Sequence, residues 1–217
     1  MIIVSLKTEA KGELFRIGLS DGSLFSFRNC YLPVDLQNTH FVDPASAEGK
    51  EITAVEEAAF RSASACLRAE KAALRLIARA EQCTAGLSRK LEKRGHERTC
   101  VNAVISRLSS LRLIDDSRYA CLWLESRLRL ARSPRRLLIS LCARGIDRDD
   151  AEAAMKKVLN EETEISMIAR FVKKYARKAG GNGEDIARSL KYLLKGEGFS
   201  HAAILRFLDG DSHHHYI

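Results

Sequence analysis

Residues 60–148 carry twenty basic side chains against eight acidic ones, and seventeen of the twenty are arginine. An arginine guanidinium is a planar fork of donors that matches phosphate or carboxylate oxygens two at a time, which a lysine ammonium cannot do. The chemistry to expect of such a stretch is therefore the non-covalent grip of a polyanion, either nucleic acid or an acidic protein face. The cations fall in bunches. Arg89, Lys90, Lys93, Arg94 and Arg98 flank Gly95; Arg127, Arg129, Arg132, Arg135 and Arg136 surround Ser133-Pro134; Arg144 and Arg148 flank Gly145. These twelve are the candidate partner-binding residues. The rest of the chain does not share the bias: residues 1–59 sum to −4 and residues 149–217 to zero.

Other chemistries have little support. Neither Lys195-Gly-Glu-Gly198 nor the glycine-rich stretch at 180–183 has the spacing of a phosphate-wrapping loop, and both read as helix ends or linkers. No local motif pairs a nucleophile with a base, so no enzymatic activity and no cofactor are expected. The tail from Asp209 to His215 contains metal-competent side chains. Adjacent tail histidines do not converge easily on one ion, so a solvated end is expected. Tyr119 and Trp123 are spaced to share a helical face. Their apolar neighbours point to core packing rather than to base stacking. The six cysteines are dispersed, with no C-x-x-C pair, which suits a reducing cytoplasm. Neither a secretory leader nor an apolar run of the ~18 residues needed for a membrane span is evident.

One pattern, written three times, has to position these cations. It places two apolar residues four apart, a glycine four later, then apolar residues six and nine beyond the glycine. The copies are Leu87, Leu91, Gly95, Val101, Val104; then Leu137, Leu141, Gly145, Ala151, Ala154; then Leu190, Leu194, Gly198, Ile204, Phe207. Spacings of four and three keep each apolar pair on one helical face. Glycine is at ease in the left-handed conformation that ends a helix. Each copy thus predicts helix, glycine stop, helix. The glycines stand 50 and 53 residues apart, a period that fits three-helix repeats. The expected fold is mainly α: tandem three-helix repeats stacked into an elongated, curved body.

The spans expected are 1–50 for a small N-terminal β segment and connector, 51–113 for a lead-in helix and first repeat, 114–161 for the second repeat, 162–210 for the third, and 211–217 for a tail. In the β segment, alternation of Phe15, Ile17 and Leu19, then Phe25 and Phe27, around Asp21-Gly22 predicts a hairpin. Thr53 with Glu56 has the form of a capping box. The helix it starts is expected to reach about Gln82, with a break near Cys66–Glu70 where apolar spacing slips. Asp115 and Ser133-Pro134 read as the starts of later helices, over 116–131 and 134–144.

Three segments carry a family resemblance: ALRLIARAEQCTAGLSRKLEKRG at 73–95, LRLIDDSRYACLWLESRLR at 111–129 and SPRRLLISLCARGI at 133–146. They resemble the RecX family of recombination regulators. Its marks are an Asp-Asp-x-Arg-(Tyr/Phe)-Ala junction, here Asp115 to Ala120, and a Pro-Arg-Arg helix start, here Pro134 to Arg136. The resemblance spans residues 50–208. It implies tandem three-helix repeats and a protein that modulates, usually inhibits, the RecA recombinase. RecA or its filament on single- or double-stranded DNA is then the partner, and ATPase, coprotease and strand-exchange activities are the targets. The alternative is an autonomous basic helical DNA-binding protein that acts without RecA.

Overall fold

The alternating apolar residues of the N-terminus form one face of a three-stranded antiparallel sheet in the order β1 (Ile3–Glu9), β2 (Leu14–Leu19), β3 (Leu24–Arg28). Phe15 pairs with Phe27 and Ile17 with Phe25 across β2 and β3, and all four are buried. The turn between them closes as expected. Gly22 has φ +87°, and the Asp21 carboxylate accepts from the Ser23 amide at 2.9 Å. The expected hairpin is thus two strands of a sheet to which Ile3–Glu9 adds the third. The structure, a computed structural model, describes residues 1–9, 13–37, 48–130, 132–176 and 183–211. Its packing divides the chain into two compact units, Met1–Ile114 and Asp115–Ile217. Most of the 180–183 stretch and most of the histidine tail lie outside the described residues.

In the first unit a short helix, α1 (Val34–Gln37), precedes the long helix α2 (Ala54–Ile77), followed by α3 (Thr84–Glu92) and α4 (Arg98–Ser110). The capping box is present: the Glu56 amide donates to Thr53 Oγ1 at 3.2 Å and the Thr53 amide to Glu56 Oε2 at 2.7 Å. No break interrupts α2 at Cys66–Glu70. The apolar spacing slips there because the helix changes partners. Phe60 and Ala63 belong to the core under the sheet, whereas Ala69 and Ala73 belong to a second core with Leu87, Leu91, Val101 and Val104. Phe60 stacks on Phe27 with centroids 5.2 Å apart. Between the two cores Glu70 is buried, held by Arg28 and Tyr31. The thiols of Cys66 on α2 and Cys100 on α4 approach to 2.7 Å.

The second unit contains α5 (Asp116–Glu125), α6 (Pro134–Cys142), α7 (Arg148–Val158), α8 (Glu161–Ala176), α9 (Gly183–Gly196) and α10 (His201–Asp211). Helix α7 packs on α5 and α6, and α10 on α8 and α9. Asp115 caps α5, accepting from the Arg118 amide at 2.9 Å, and Ser133 caps α6 with proline in the first turn. Helix α5 stops at Glu125 rather than near residue 131. The Ser126 hydroxyl donates to the Trp123 carbonyl at 2.7 Å, and the Arg127 amide turns inward to Leu124 O at 2.7 Å. A side chain thus takes an acceptor that the next turn of helix needs.

The glycine pattern is realised three times. Gly95, Gly145 and Gly198 have φ of +82°, +92° and +84°. After each, the next amide reaches back to the leucine four before the glycine: His96 to Leu91 at 3.3 Å, Ile146 to Leu141 at 3.3 Å and Phe199 to Leu194 at 3.2 Å. This is the Schellman closure of a helix end. The apolar positions of the first two copies are all buried, while Leu190 and Phe207 of the third are half-buried.

Candidate functional site

The candidate cations separate into groups within the two units. In the first unit Arg89, Lys90, Lys93 and Arg94 line the last turn of α3 and the residues just after it, and Arg98 opens α4 across Gly95. All five are exposed. The first four complement the negative end of the α3 dipole, so part of their role is to stabilise that helix terminus. Lys90 is engaged at home, donating to Gln82 Oε1 at 2.6 Å, and Arg89 donates to the Ala85 carbonyl at 3.2 Å. Lys93, Arg94 and Arg98 have no carboxylate within 4.0 Å among the described residues and face solvent.

In the second unit the helix end at Glu125 decides the geometry. Because the chain tightens at Ser126, Arg127 folds back over the ring of Trp123, its guanidinium carbon 5.5 Å from the centroid. Arg144, at the end of α6, covers the same ring at 5.0 Å. The ring is 8% exposed, as core packing requires, and both arginines are half-buried. Stacking on an indole contributes about 0.5–2 kcal/mol and leaves the guanidinium edge able to donate. Equivalent positions in two repeats therefore differ: Arg94 is exposed, whereas Arg144 is fixed on an aromatic support.

Arg135 and Arg136 lie exposed in the first turn of α6, against the turn that joins α9 to α10. The Arg135 amide donates to Glu197 O at 3.0 Å and its guanidinium to Gly196 O at 3.3 Å. Arg136 Nε stands 3.9 Å from Glu197 Oε2, an oxygen that also accepts from the buried Ser133 hydroxyl. A Cβ on Gly198 would meet the Arg135 amide at 3.4 Å. The third glycine thus holds the α9–α10 turn against the start of α6.

The remaining cations have other settings. Arg148 pairs with Glu152 at 2.8 Å on its own helix. Arg132 is half-buried, and Arg129 is exposed on a cleft with Glu162, Thr163, Ser166 and Arg170. Arg170 is a residue that sequence reasoning missed. It donates to the Leu128 carbonyl at 2.7 Å, tying α8 to the segment after α5, and no local spacing advertises that packing. Trp123 was legible as core, but not as a support for cations. No cluster of three or more side chains able to hold a metal ion occurs among the described residues, and no described helix is long and apolar enough to cross a membrane.

A protein built this way, with glycine-stopped helix pairs, cationic helix ends and a small N-terminal sheet, belongs to the mainly helical class of three-helix-repeat folds. Residues 115–155, which hold α5, α6 and most of α7, match the family model described as RecX, second three-helix domain. Regulatory protein RecX of Treponema pallidum is 33% identical over 144 residues, covering 66% of this chain and 85% of that protein. Regulatory protein RecX of Pseudomonas fluorescens is 31% identical over 144 residues, 64% of this chain and 89% of the relative. A crystal structure of regulatory protein RecX superposes with a TM-score of 0.69 at 18% identity, covering 96% of this chain and 98% of that one. RecX from Lactobacillus salivarius superposes with a TM-score of 0.55 at 20% identity, over 68% of this chain and 97% of its own. The chain belongs to the RecX family, whose matched relatives are named regulatory proteins.

Proposed function

We propose that this chain binds the RecA recombinase or its DNA filament and modulates it, chiefly by inhibition, with its cationic helix ends in contact with the polyanion. The observation that carries the reading is family membership through a relative 33% identical over most of its length. The arginine excess of residues 60–148 supports it, because several of those side chains stand exposed without an internal anion. Arg94, Arg98, Arg129, Arg135 and Arg136 are the exposed arginines best placed for phosphates or an acidic surface. The repeat spans 51–113, 114–161 and 162–210 are part of the same proposal: the first two carry the grip, and the third, charge-balanced, completes the stack.

The test is RecA ATPase on single-stranded DNA with and without this protein. A stoichiometric amount is expected to lower turnover, and an unchanged rate overturns the reading. A parallel titration on DNA alone separates it from an autonomous DNA binder. Tight, salt-steep binding that needs no RecA, together with an unaffected ATPase, would favour the latter.

A further inference from the structure

We propose that the exposed face of α9, formed by Lys191, Tyr192 and Lys195 and continued by Arg135 of α6, is a contact site for single-stranded nucleic acid. Tyr192 stacks on a base there, and the cations hold the flanking phosphates. The inference rests on the polyanion-binding reading above and adds to it a contact in the third repeat and a stacking residue.

Helix α9 turns Leu190 and Leu194 toward its own unit, where Leu194 is buried and Leu190 half-buried. At about 100° per residue, Tyr192 lies on the opposite side, and Lys195 and Lys191 follow on one flank, about 60° and 100° round from it. Tyr192 is 73% exposed, and both lysines are exposed. Arg188 falls on the same arc, but Glu184 lies four residues before it, at ion-pair spacing, so the site is assigned without it. The Arg135 guanidinium donates to the Gly196 carbonyl at 3.3 Å, which sets it beside Lys195 at the end of α9. One strip of surface thus carries three cations around an open phenol ring. The Glu197 carboxylate, in the turn that follows, is engaged by the Ser133 hydroxyl and Arg136. Lys191, Lys195 and Arg135 have no ion pair among the described residues.

Folding alone does not account for this face. Lys195, in the last turn, complements the α9 dipole. Lys191 lies a turn earlier, four residues from Lys195, and like charges at that spacing destabilise a helix. The residues three and four away on either side of it, Ala187, Arg188, Leu194 and Lys195, include no acid. A bound anion turns that repulsion into a grip. The ring decides which anion. A chain of carboxylates satisfies lysines but leaves the phenol face bare, whereas a nucleotide brings a phosphate and a π face together. Bases in a duplex are already stacked on one another, so the site selects single strands. Every base has such a face, so it does not select sequence.

The full-length protein is titrated against labelled oligothymidylate, its duplex with oligoadenylate, and labelled polyglutamate, with binding read by anisotropy. Tyr192→Leu should weaken oligothymidylate binding about tenfold and leave duplex and polyglutamate binding unchanged. Tyr192→Phe keeps the ring and should bind as the wild type does. Lys191→Gln with Lys195→Gln should make the salt dependence of single-strand binding shallower by about 0.7 in log K per log salt for each phosphate released. All of these side chains are exposed, so melting temperatures should stay at the wild-type value. Equal single-strand affinity of Tyr192→Leu and the wild type overturns the site and leaves the polyanion reading standing. An equal loss on duplex or polyglutamate overturns the single-strand assignment. Wild-type protein that binds no oligonucleotide yet lowers RecA ATPase overturns the site alone, and protein that does neither overturns both readings.

Discussion

The Glu70 carboxylate receives Arg28 Nε at 3.0 Å on each of its two oxygens, in a side chain only 4% exposed. The Tyr31 hydroxyl donates to the same group at 2.9 Å, and Arg107 Nε stands 3.9 Å away. One carboxylate thereby joins β3, the turn after it, α2 and α4. Removing one partner of a buried pair leaves the others uncompensated, at a cost of about 3–5 kcal/mol. Arg28 is partly exposed and recovers some hydration. Glu70→Ala is therefore expected to cost about 2–3 kcal/mol in urea unfolding, and a loss below about 0.5 kcal/mol would show that the network contributes only orientation.

The glycine stops predict opposite signs at two positions. Gly145→Ala forces a Cβ into a φ of +92° and should destabilise the second unit by about 1 kcal/mol or more. Helix α4 ends with the same closure, Arg112 to Ser109 O and Leu113 to Leu108 O, both at 2.9 Å. Its left-handed residue, however, is Arg112 with φ 54°. Arg112→Gly relieves that strain and should stabilise by about 0.5–1 kcal/mol. Thermal melts of the two variants should move in opposite directions.

Ionisation of Cys66 gives the first unit an alkaline limit. Burial, helped by the neighbouring Cys100 thiol, pushes Cys66 up to about 12 from an ordinary 9.0. The folded state keeps the proton that the unfolded chain loses, so this contribution is whole below about pH 9 and disappears as pH rises toward 12. Tyr31 is raised as well, by burial and by its bond to the Glu70 carboxylate, and it acts with the same sign. Urea midpoints should fall between about pH 8 and pH 10. Cys66→Ala should flatten part of that fall, and an unchanged slope would remove Cys66 from the account.

Local rules made the helix–glycine–helix units legible. A left-handed glycine, two leucines four apart and a cap such as Thr53, Asp115 or Ser133 each act within a turn or two of chain. Tertiary events were not legible. The spacing slip at Cys66–Glu70 resembles a break because the helix changes cores there and a charged residue falls on its inner face, where Arg28, Tyr31 and Arg107, all distant in sequence, hold it. The early end of α5 turns on one hydroxyl, that of Ser126. Charge composition found the cationic segment but could not sort it. Arg127 lies one helical turn from Trp123 and was within reach of local reasoning, whereas Arg144 and Arg170 arrive through packing.

That sorting changes how the start of α6 has to be tested. Charge reversal at Arg135 and Arg136 suggests itself as a way to weaken polyanion binding without unfolding. Arg136, though, lies 3.9 Å from Glu197, whose carboxylate also holds the buried Ser133 hydroxyl. A glutamate at position 136 would repel Glu197 and loosen the α9–α10 turn, so weaker binding would be confounded with weaker packing. Arg135→Gln with Arg136→Gln removes both charges without adding repulsion, and should shift stability by less than about 1 kcal/mol. The salt dependence of oligonucleotide binding should then become shallower by about 0.7–0.9 in log K per log salt for each phosphate that is no longer neutralised. Ser133→Ala is the structural counterpart. It deletes the α6 cap and the bond to Glu197 together, and should cost about 1–2 kcal/mol while leaving the salt slope of the folded protein intact. If the glutamine pair lowers stability as much as Ser133→Ala and leaves the slope unchanged, Arg135 and Arg136 serve the fold rather than the partner.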